Sequence, residues 1–508
     1  MASMGLAKTI TAALDHVLEA DPTRLALVGP SASLSYEELD AAADAAAAAF
    51  REMGVSPGDR VAASLANDVD IVVSFHGAMR LGAVWVGVNR ALAAAEKESL
   101  LDAATPTIFL ADPDNAAAHE ARWRVVRVDP ANPQSDWPAA LAAAAGAARL
   151  AAPDPDDPAA IAFTSGTTGL PKGIVHSQRN LLLPAASLAA SRHYDSTLRK
   201  GDCLPLTILN LQVLTTLLTS AAGGCCVLTD RRDARGVAEW LAIQAVTVWN
   251  GVPALIYSMV HDPDLDPQLF ASVQEVWTGG AACPDDLFEV FRSRFGVPLR
   301  QSYGLTEAPT VVTIEPVGGE HIDESSGVAL PHLDVGIRDD DGSELPAGQV
   351  GEIVVRAARR GPWAGEYTPM LGYWQDAAVE RFEAQELHTG DIGVLDDAGN
   401  LFVRERKKLV IIRGGANVYP AEVERVLERV PGVRASAVIG LPDPRLGQRV
   451  VAAIEADPGF AVNPGEVLEH CRGQLARYKV PEQIIVVGTL PRNAMGKVQR
   501  EPLTALFG

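Results

Sequence analysis

The chain has 508 residues, enough for roughly two to four domains and a large buried core. Its composition is that of a soluble globular protein, with 48% hydrophobic and 21% charged residues. The 64 acidic residues outnumber the 43 basic ones, and a formal charge of -21 argues against nucleic acid or an anionic membrane as a partner. Five cysteines without zinc or redox spacing favour a reducing cytoplasm.

Apolar runs alternate with helical patterns in the first third of the chain. Residues 1–21 predict an amphipathic helix, since they lack the apolar core and cleavage site of a signal peptide. Strands at Arg60–Leu65 and Ala83–Val88 flank a predicted helix at Asp68–Leu81. We interpret the Ala-, Pro- and Asp-rich stretch between Ala116 and Asp157 as a poorly constrained connection.

A loop rich in glycine and hydroxyl groups, FTSGTTGLPKGIVHS, runs from Phe163 to Ser177 between two predicted strands. Glycine lets the backbone approach a ligand closely, and hydroxyls, N–H groups and one lysine can bind phosphate oxygens. It is not a Walker A loop, because Pro171 and Gly173 stand where that motif needs Gly and Ser or Thr. The alternative is a polar hairpin without a ligand.

The uncharged stretch Cys203–Thr229 is long enough to cross a bilayer. Pro205, Asn210, Gln212 and the Gly223-Gly224 pair interrupt it, so we interpret it as a strand end, a buried helix, a turn and a buried strand.

The βαβ alternation returns between Val246 and Ser302 and predicts a mostly parallel sheet covered by helices. Short strands predominate from Gly327 to Phe402. We therefore expect an α/β protein: a large N-terminal body of layered parallel sheets (1–407, divided into 1–160, 161–326 and a β-barrel-like 327–407) and a small α+β domain at 408–508. In that small domain the predicted elements are helices near Pro420–Arg429 and Pro464–Leu475 and strands near Ala435–Ile439 and Val450–Ala456.

Four further motifs follow the loop in order. They are QSYGLTE (301–307), ELHTGD (386–391), ERKKLVIIRGGANVYPAEVE (405–424) and LPRNAMGKVQR (490–500). Together with FTSGTTGLPKG they resemble the adenylate-forming superfamily. Within it, the sequence is most similar in character to the free-standing acyl- and aryl-CoA synthetases. The resemblance implies that a carboxylate attacks the α-phosphorus of ATP to give acyl-AMP and pyrophosphate, and that coenzyme A then displaces AMP.

The resemblance also implies roles for single residues. Tyr303 would stack on adenine, Thr306 would touch the α-phosphate, and Glu307 would bind Mg²⁺. Asp391, which follows HTG in a predicted turn, and Arg406 would hold the nucleotide. Phosphate and purine contacts are expected from Thr164, Ser165, Gly166, Thr167, Thr168, Gly169, Lys172, Gly280, Ala281, Gln301, Ser302 and Gly304.

The C-terminal domain is expected to act as a mobile lid. Lys497 would deliver its ammonium group during adenylation, Lys408 would be the hinge, and Gly414 and Gly415 would border the pantetheine tunnel. Taken from composition alone, the basic residues between Arg404 and Arg413 would be a solvated face, and both readings stay open. A glycine commonly precedes the arginine at position 406 in this superfamily; here it is Glu405, from which we expect little consequence.

The acyl pocket is expected at Ile208, Asn250, Gly251, Val252, Gly279, Ala308 and Pro309. None of these is Lys or Arg, which argues against a dicarboxylic acid, and no acid is placed to pair with an α-ammonium, which disfavours an amino acid. A hydrophobic monocarboxylic acid fits best. Two alternatives stay open: transfer of the acyl group to a carrier protein or partner enzyme, and a nucleotide-binding protein without activity. Homodimers are frequent in such families, and the sequence leaves the oligomeric state open.

Overall fold

The computed structural model describes residues 8–165, 171–280, 283–492 and 498–507. It divides into two compact units, one formed by Met1–Val335 with Val355–Leu387 and the other by Gly336–Val354 with His388–Gly508. Each unit combines sheets and helices, and the first is much the larger, which confirms the predicted α/β class with a large and a small part. The predicted domain boundaries stay a prediction.

The larger unit contains a nine-stranded sheet that is parallel in its centre and antiparallel at both edges. The strands that were predicted between Val246 and Ser302 form its centre, which confirms the βαβ interpretation. In spatial order the strands are Val328–Ala329, Thr310–Ile314, Leu299–Leu305, Glu275–Gly279, Val248–Asn250, Arg199–Asp202, Cys225–Leu228, Leu25–Val28 and Ser33–Ser35.

A second sheet of eight strands lies in the same unit, parallel over one half and antiparallel where the glycine-rich hairpin joins it. In spatial order its strands are Ala378–Arg381, Gly372–Gln375, Pro171–Ser177, Pro158–Ser165, Val84–Gly87, Arg60–Ser64, Ile108–Ala111 and Val125–Arg127.

Helices connect the parallel strands, and local sequence sets their ends. Ser35 and Glu38 form a capping box at the start of Tyr36–Glu52, and Gly82, at φ 74°, ends Val69–Leu81. The other α-helices of this unit are Asp15–Ala20, Ala94–Ala104, Pro113–Ala116, Asp136–Ala143, Gln178–Ser191, Leu209–Leu211, Leu218–Ala222, Ala234–Ile243, Pro253–His261 and Asp285–Phe295, with a π-helix at Gln212–Leu217 and 3₁₀ turns at Ile10–Ala12 and Pro267–Phe270.

The stretch Cys203–Thr229 has the predicted form, because a strand end, buried helices, a turn at Gly223 and a buried strand follow one another. Within the described ranges, no helix has both the length and the apolar character needed to cross a membrane.

The interpretation of residues 116–157 as a poorly constrained connection is wrong. This stretch supplies the edge strand Val125–Arg127 and the helix Asp136–Ala143. Trp137 on that helix is fully buried, and its ring stacks on Phe50 with centroids 4.8 Å apart. One large side chain therefore anchors a segment whose composition otherwise resembles a linker.

Replacing Trp137 by Phe should lower the free energy of unfolding by about 0.5–3 kcal/mol, because part of a well-packed ring is lost from the core. Urea denaturation measures this change. Trp363→Phe, at a half-buried ring, serves as the control and should change stability less. Equal effects of the two substitutions would contradict the anchoring role of Trp137.

The smaller unit contains a five-stranded sheet made of Ala416–Val418, Ile411–Arg413, Gly447–Ala456, Val433–Asp443 and Gln483–Val487. The helices Pro420–Glu428 and Pro464–Gln474 cover it, which confirms the predicted elements, and the 3₁₀ turns Lys407–Leu409 and Glu501–Phe507 complete the unit. A four-stranded sheet comprises Leu333–Arg338, Gly351–Ala357, Leu387–Leu395 and Leu401–Arg406.

Candidate active site

Several predicted site residues meet at the carboxyl edge of the nine-stranded sheet. The strands Val248–Asn250, Glu275–Gly279 and Leu299–Leu305 are parallel neighbours, so their carboxyl ends lie side by side. Gly279 pairs with Ser302, and the Gly251 N–H donates to the Trp277 carbonyl at 2.9 Å. The structure thus brings the predicted acyl-pocket residues of the first two strands beside the QSYGLTE motif.

The motif itself turns back sharply after this edge. Leu299–Leu305 pairs antiparallel with Thr310–Ile314, and Thr306, Glu307, Ala308 and Pro309 form the connection. A Cβ atom on Gly304 would lie 1.8 Å from the Thr310 carbonyl oxygen, so only glycine permits this approach. Thr310 has φ 76°, an uncommon value for a β-branched residue. Close backbone packing therefore determines where Thr306 and Glu307 stand.

A histidine that the sequence analysis did not single out holds the same turn. His176 is fully buried, with its Nε2 atom 2.8 Å from the Thr306 carbonyl oxygen and its Nδ1 atom 3.4 Å from the Asn180 amide nitrogen. Burial lowers the pKa of His176 to about 4, so the ring is neutral at pH 7. With Nδ1 accepting from Asn180, the proton resides on Nε2 and is donated to Thr306.

His176→Ala should lower the rate of adenylation by about tenfold, because the Thr306 carbonyl loses a buried donor. His261→Ala is the matched control: it removes an exposed histidine and should leave the rate unchanged.

The folded protein protonates the His176 ring only near pH 4, whereas the unfolded chain protonates it near pH 6.5. The free energy of unfolding should therefore fall as pH decreases through this window, and fall less in His176→Ala. Parallel pH profiles would contradict the assignment.

Glu307 lies close to a second residue that the sequence analysis missed, Tyr367. Burial and, to a smaller extent, the negative charge of Glu307 raise the pKa of the Tyr367 phenol well above its ordinary value. The His332 ring contacts Tyr367 edge-on, with centroids 5.9 Å apart. The Glu307 carboxylate thus lies near enough to the neutral Tyr367 phenol to interact with it electrostatically.

The predicted Mg²⁺ ion is compatible with this site. Among the described residues, no group of three or more His, Cys, Asp or Glu side chains is arranged to hold a metal ion. Mg²⁺ does not need one, since it keeps several waters and binds through one or two carboxylates together with substrate phosphates. The single half-buried carboxylate of Glu307 fits that pattern.

The glycine-rich motif forms an antiparallel hairpin, as its flanking strands predict. Thr164 pairs with Lys172 and Ser165 with Pro171 at the end of the two strands that adjoins residues 166–170. The Lys172 Nζ atom lies 3.5 Å from the centre of the Tyr373 ring on the next strand, and its side chain is exposed. Gly166, Thr167, Thr168 and Gly169 lie outside the described residues, as does Ala281 of the predicted purine pocket.

In the smaller unit, Asp391 and Arg406 lie on neighbouring strands. They are paired in the register of Leu387–Leu395 and Leu401–Arg406, and the Arg406 Nε atom is 2.8 Å from Asp391 Oδ1. The prediction of a turn at Asp391 is wrong: the residue is buried within a strand, and Gly390, at φ 71°, absorbs the local bend that HTGD indicated. The two residues expected at one nucleotide are in direct contact.

The predicted hinge and tunnel residues occupy exposed turns. Lys408 lies in the 3₁₀ turn Lys407–Leu409 and is exposed. Gly414 and Gly415, at φ 59° and 85°, form the tight turn between Ile411–Arg413 and Ala416–Val418, a geometry that favours glycine at both positions. Lys497 lies outside the described residues.

A family model described as AMP-binding enzyme matches residues 14–374, and one described as AMP-binding enzyme C-terminal domain matches residues 422–497. The chain belongs to this family of AMP-binding enzymes. It is 33% identical to the long-chain-fatty-acid–CoA ligase FadD13 of Mycobacterium tuberculosis over 95% of both chains. It is 32% identical to the indoleacetate–CoA ligase of Aromatoleum aromaticum over 97% of both. ATP-bound MatB from Rhodopseudomonas palustris shares the fold with a TM-score of 0.88 at 30% identity, covering 98% of this chain and 99% of that one.

These relatives confirm the resemblance to adenylate-forming enzymes and the prediction of an AMP-forming acyl-CoA synthetase. In this AMP-binding enzyme the remaining predicted acyl-pocket residues lie just before two helices or directly after Glu307. Ile208 precedes the helix Leu209–Leu211, Val252 precedes Pro253–His261, and Ala308 and Pro309 follow Glu307. Their assignment to the pocket stays a prediction.

A cleft of about 360 Å³ lies at the opposite, amino-terminal edge of the nine-stranded sheet. It is lined by Arg192 and Arg300, but these guanidinium groups already contact Glu275 and the Gly319 carbonyl. The cleft contains none of the predicted site residues, so the carboxyl edge is the candidate active site of this AMP-binding enzyme.

Proposed function

We propose that the enzyme activates a hydrophobic monocarboxylic acid with ATP and transfers the acyl group to coenzyme A, with Thr306 and Glu307 as the residues nearest the reacting phosphate. The observation that carries the proposal is the placement of these two residues at the carboxyl edge of the sheet by the Gly304 packing and the His176 hydrogen bond. Ligands of open α/β sheets bind at this edge.

The first step joins the substrate carboxylate oxygen to the α-phosphorus of ATP and expels pyrophosphate. The Thr306 hydroxyl donates to an α-phosphate oxygen, and its backbone is held by neutral His176. Glu307 would hold Mg²⁺, which would supply positive charge against the phosphates when bound. Thr164, Lys172 and the loop between them contact the β- and γ-phosphates.

In this proposal different residues bind the adenine and the ribose of the nucleoside. Tyr303 stacks on adenine, with Gly280 beside the purine. The Asp391 carboxylate can only accept hydrogen bonds, and one of its oxygens receives Arg406. In this proposal the Asp391 carboxylate also accepts the two ribose hydroxyls, and the Arg406 guanidinium stabilises its negative charge.

In the second step the coenzyme A thiol attacks the acyl carbon, and AMP leaves. Lys497 acts only in the first step, where its ammonium group stabilises charge between the carboxylate and the α-phosphate. Gly414 and Gly415 present no side chain at their turn, so a thin pantetheine arm passes closely there. We also propose that the enzyme works in a reducing cytoplasm, which the cysteine pattern favours.

We propose that the substrate acid carries an apolar body next to a single carboxylate. The related enzymes bear the names of a long-chain fatty acid and of indoleacetate, which are both monocarboxylic acids with an apolar body. The small residues Gly251, Gly279 and Ala308 at the predicted pocket do not select between these shapes, so the body of the acid stays open.

Acid-dependent exchange of radioactive pyrophosphate into ATP tests the proposal. A panel of fatty, aryl and alicyclic acids should include members that support exchange, and no exchange should occur without acid. Adding coenzyme A should then yield acyl-CoA and AMP in equal amounts. A thioester formed only on a pantetheinylated carrier protein would select the alternative acceptor, and absence of exchange with every acid would contradict the proposal.

A further inference from the structure

The backbone just before Ile208 packs directly against the eight-stranded sheet. Gly87 ends the strand Val84–Gly87 of that sheet, and a Cβ atom added to it would lie 1.8 Å from the Thr207 carbonyl oxygen and 2.7 Å from the Thr207 carbonyl carbon. The φ angle of Gly87 lies outside the left-handed region, so the approach of a neighbouring backbone, and not its own conformation, requires glycine here. Any side chain at this position would force the two backbones apart.

A buried amide holds the backbone immediately before this contact. Asn67 is 1% exposed; its Nδ2 atom donates to the Leu204 carbonyl at 2.8 Å, and its Oδ1 atom accepts from the Leu206 N–H at 2.9 Å. The same Nδ2 atom donates to the Thr229 carbonyl at 3.3 Å, so both of its hydrogens are used. One side chain thus bonds the backbone on both sides of Pro205, and its loss would deprive a buried carbonyl and a buried N–H of their partner.

The two contacts determine where the Ile208 side chain begins. The Ile208 N–H donates to the Pro205 carbonyl at 2.9 Å, which closes a turn over residues 205–208. Leu206 and Thr207 are buried within this turn, whereas Ile208 at its end is half-buried. A movement of the Thr207 carbonyl is passed to Ile208, because the planar peptide bond between them joins the carbonyl of one residue rigidly to the Cα atom of the next.

We propose that Gly87 and Asn67 are positioning residues for acid selectivity, because they determine how far the Ile208 side chain projects into the acyl pocket. The inference rests on the proposed function, in which Ile208 borders that pocket. Neither residue is expected to touch the substrate, and both act through the turn over residues 205–208. An apolar pocket discriminates between substrates that differ by one methylene group by about 10- to 200-fold in kcat/KM. Displacement of one wall residue by a similar distance should therefore change the relative rates of acids of different shape by about tenfold or more.

Gly87→Ala in the acid-dependent pyrophosphate exchange assay tests this inference. For straight-chain, aryl and alicyclic acids, kcat/KM is measured for the variant and the wild type, together with KM for ATP. The ratio of kcat/KM between at least two of these acids should change by about tenfold or more, while KM for ATP should stay within about twofold. Ratios that all stay close to those of the wild type would overturn the inference and leave the ligase activity intact. Absence of exchange by the wild type with every acid would instead contradict the proposed function, on which the inference rests.

Gly224→Ala is the matched control for a steric clash with a backbone carbonyl. A Cβ atom added to Gly224 would lie 2.5 Å from the Leu198 carbonyl oxygen. Gly224 directly precedes the strand Cys225–Leu228 and therefore lies at the amino-terminal edge of the nine-stranded sheet, opposite the candidate active site. Both alanine variants should lower the midpoint of urea denaturation, but Gly224→Ala should keep the wild-type acid preferences. Equal changes of preference in the two variants would show that loss of stability alone is responsible and would overturn the assignment.

Ile208→Ala tests the route through which Gly87 acts, and its outcome does not depend on whether the Gly87 variant folds. The half-buried side chain is shortened without a backbone clash, and the acid preferences should change. Gly87→Ala should then have little further effect in the Ile208→Ala background, since mutations that act through one side chain are not additive. Unchanged preferences in Ile208→Ala, or fully additive effects in the double variant, would overturn the inference.

Asn67→Asp tests the second positioning residue. The substitution keeps the size of the side chain and replaces the Nδ2 donor by an oxygen, which then faces the Leu204 and Thr229 carbonyls. The ratios of kcat/KM among the acids should change, with KM for ATP again close to that of the wild type. Asn132→Asp, at an exposed residue, is the matched control and should keep the wild-type preferences. Wild-type preferences in Asn67→Asp would overturn the role of Asn67.

Discussion

Lys497→Ala should lower the rate of adenylation by about 10²–10³, the scale for losing one electrostatic contact in a transition state. Acid-dependent pyrophosphate exchange measures this step. The second step, followed by mixing synthetic acyl-AMP with coenzyme A, should be much less affected, because in the proposed mechanism the ammonium group acts only while charge moves from the carboxylate to the phosphate. Lys497 would thereby be assigned to one half-reaction.

Lys479→Ala is a matched control for this experiment. It removes a lysine of the same domain whose Nζ atom pairs with Glu422 at 2.7 Å, and it should leave both steps close to the wild-type rates. Equal losses of Lys497→Ala in both steps would reject the assignment, since they would indicate damage to the fold or to a shared contact.

Lys408→Pro should slow thioester formation by about a hundredfold and spare adenylation. The resemblance to adenylate-forming enzymes places the hinge of the lid at Lys408, and the residue is exposed in the 3₁₀ turn Lys407–Leu409. Proline fixes φ of its own residue and restricts the one before it. A backbone restriction that costs about 3 kcal/mol corresponds to about two orders of magnitude in rate.

Lys408→Ala separates the side chain from the backbone. It removes the same ammonium group but leaves the backbone free to rotate, so both half-reactions should proceed at close to wild-type rates. If the proline variant forms the thioester from acyl-AMP as fast as the alanine variant, the hinge claim is wrong.

The strands of the sheet centre and of the C-terminal unit could be predicted from the sequence. Val248–Asn250, Glu275–Gly279 and Gly447–Ala456 are short apolar or alternating runs bounded by turn residues, and most of their neighbours in the sheet are adjacent strands in the chain. Asp391 was misplaced in a turn because a glycine within a strand looks the same in sequence as one in a loop, and only the value of φ distinguishes them.

The contacts that organise the site could not be predicted, because they join residues far apart in the chain. His176 holds the carbonyl of Thr306, 130 positions later, and no local pattern marks that hydrogen bond. Lys200 and Asp202 illustrate the same difficulty, since charged residues are rarely buried and the sequence analysis left them unassigned. The residue types of the site could be identified from motifs, whereas the contacts that hold them in place could be identified only from the fold.

Glu405 also has a structural role that the sequence analysis did not expect. Its Oε2 atom accepts a hydrogen bond from the Ala421 N–H at 2.9 Å, at the start of the helix Pro420–Glu428. A carboxylate at this position satisfies one of the N–H groups that a helix leaves unpaired in its first turn. Glu405 therefore makes a local contact that the expectation of little consequence did not include.

A crystal structure with a non-hydrolysable acyl-adenylate mimic tests the central claim most directly. We expect the adenine ring on Tyr303, the phosphate mimic beside the Thr306 hydroxyl and the ribose hydroxyls on Asp391. Density for the mimic elsewhere, with nothing bound along Tyr303–Glu307, would contradict the account.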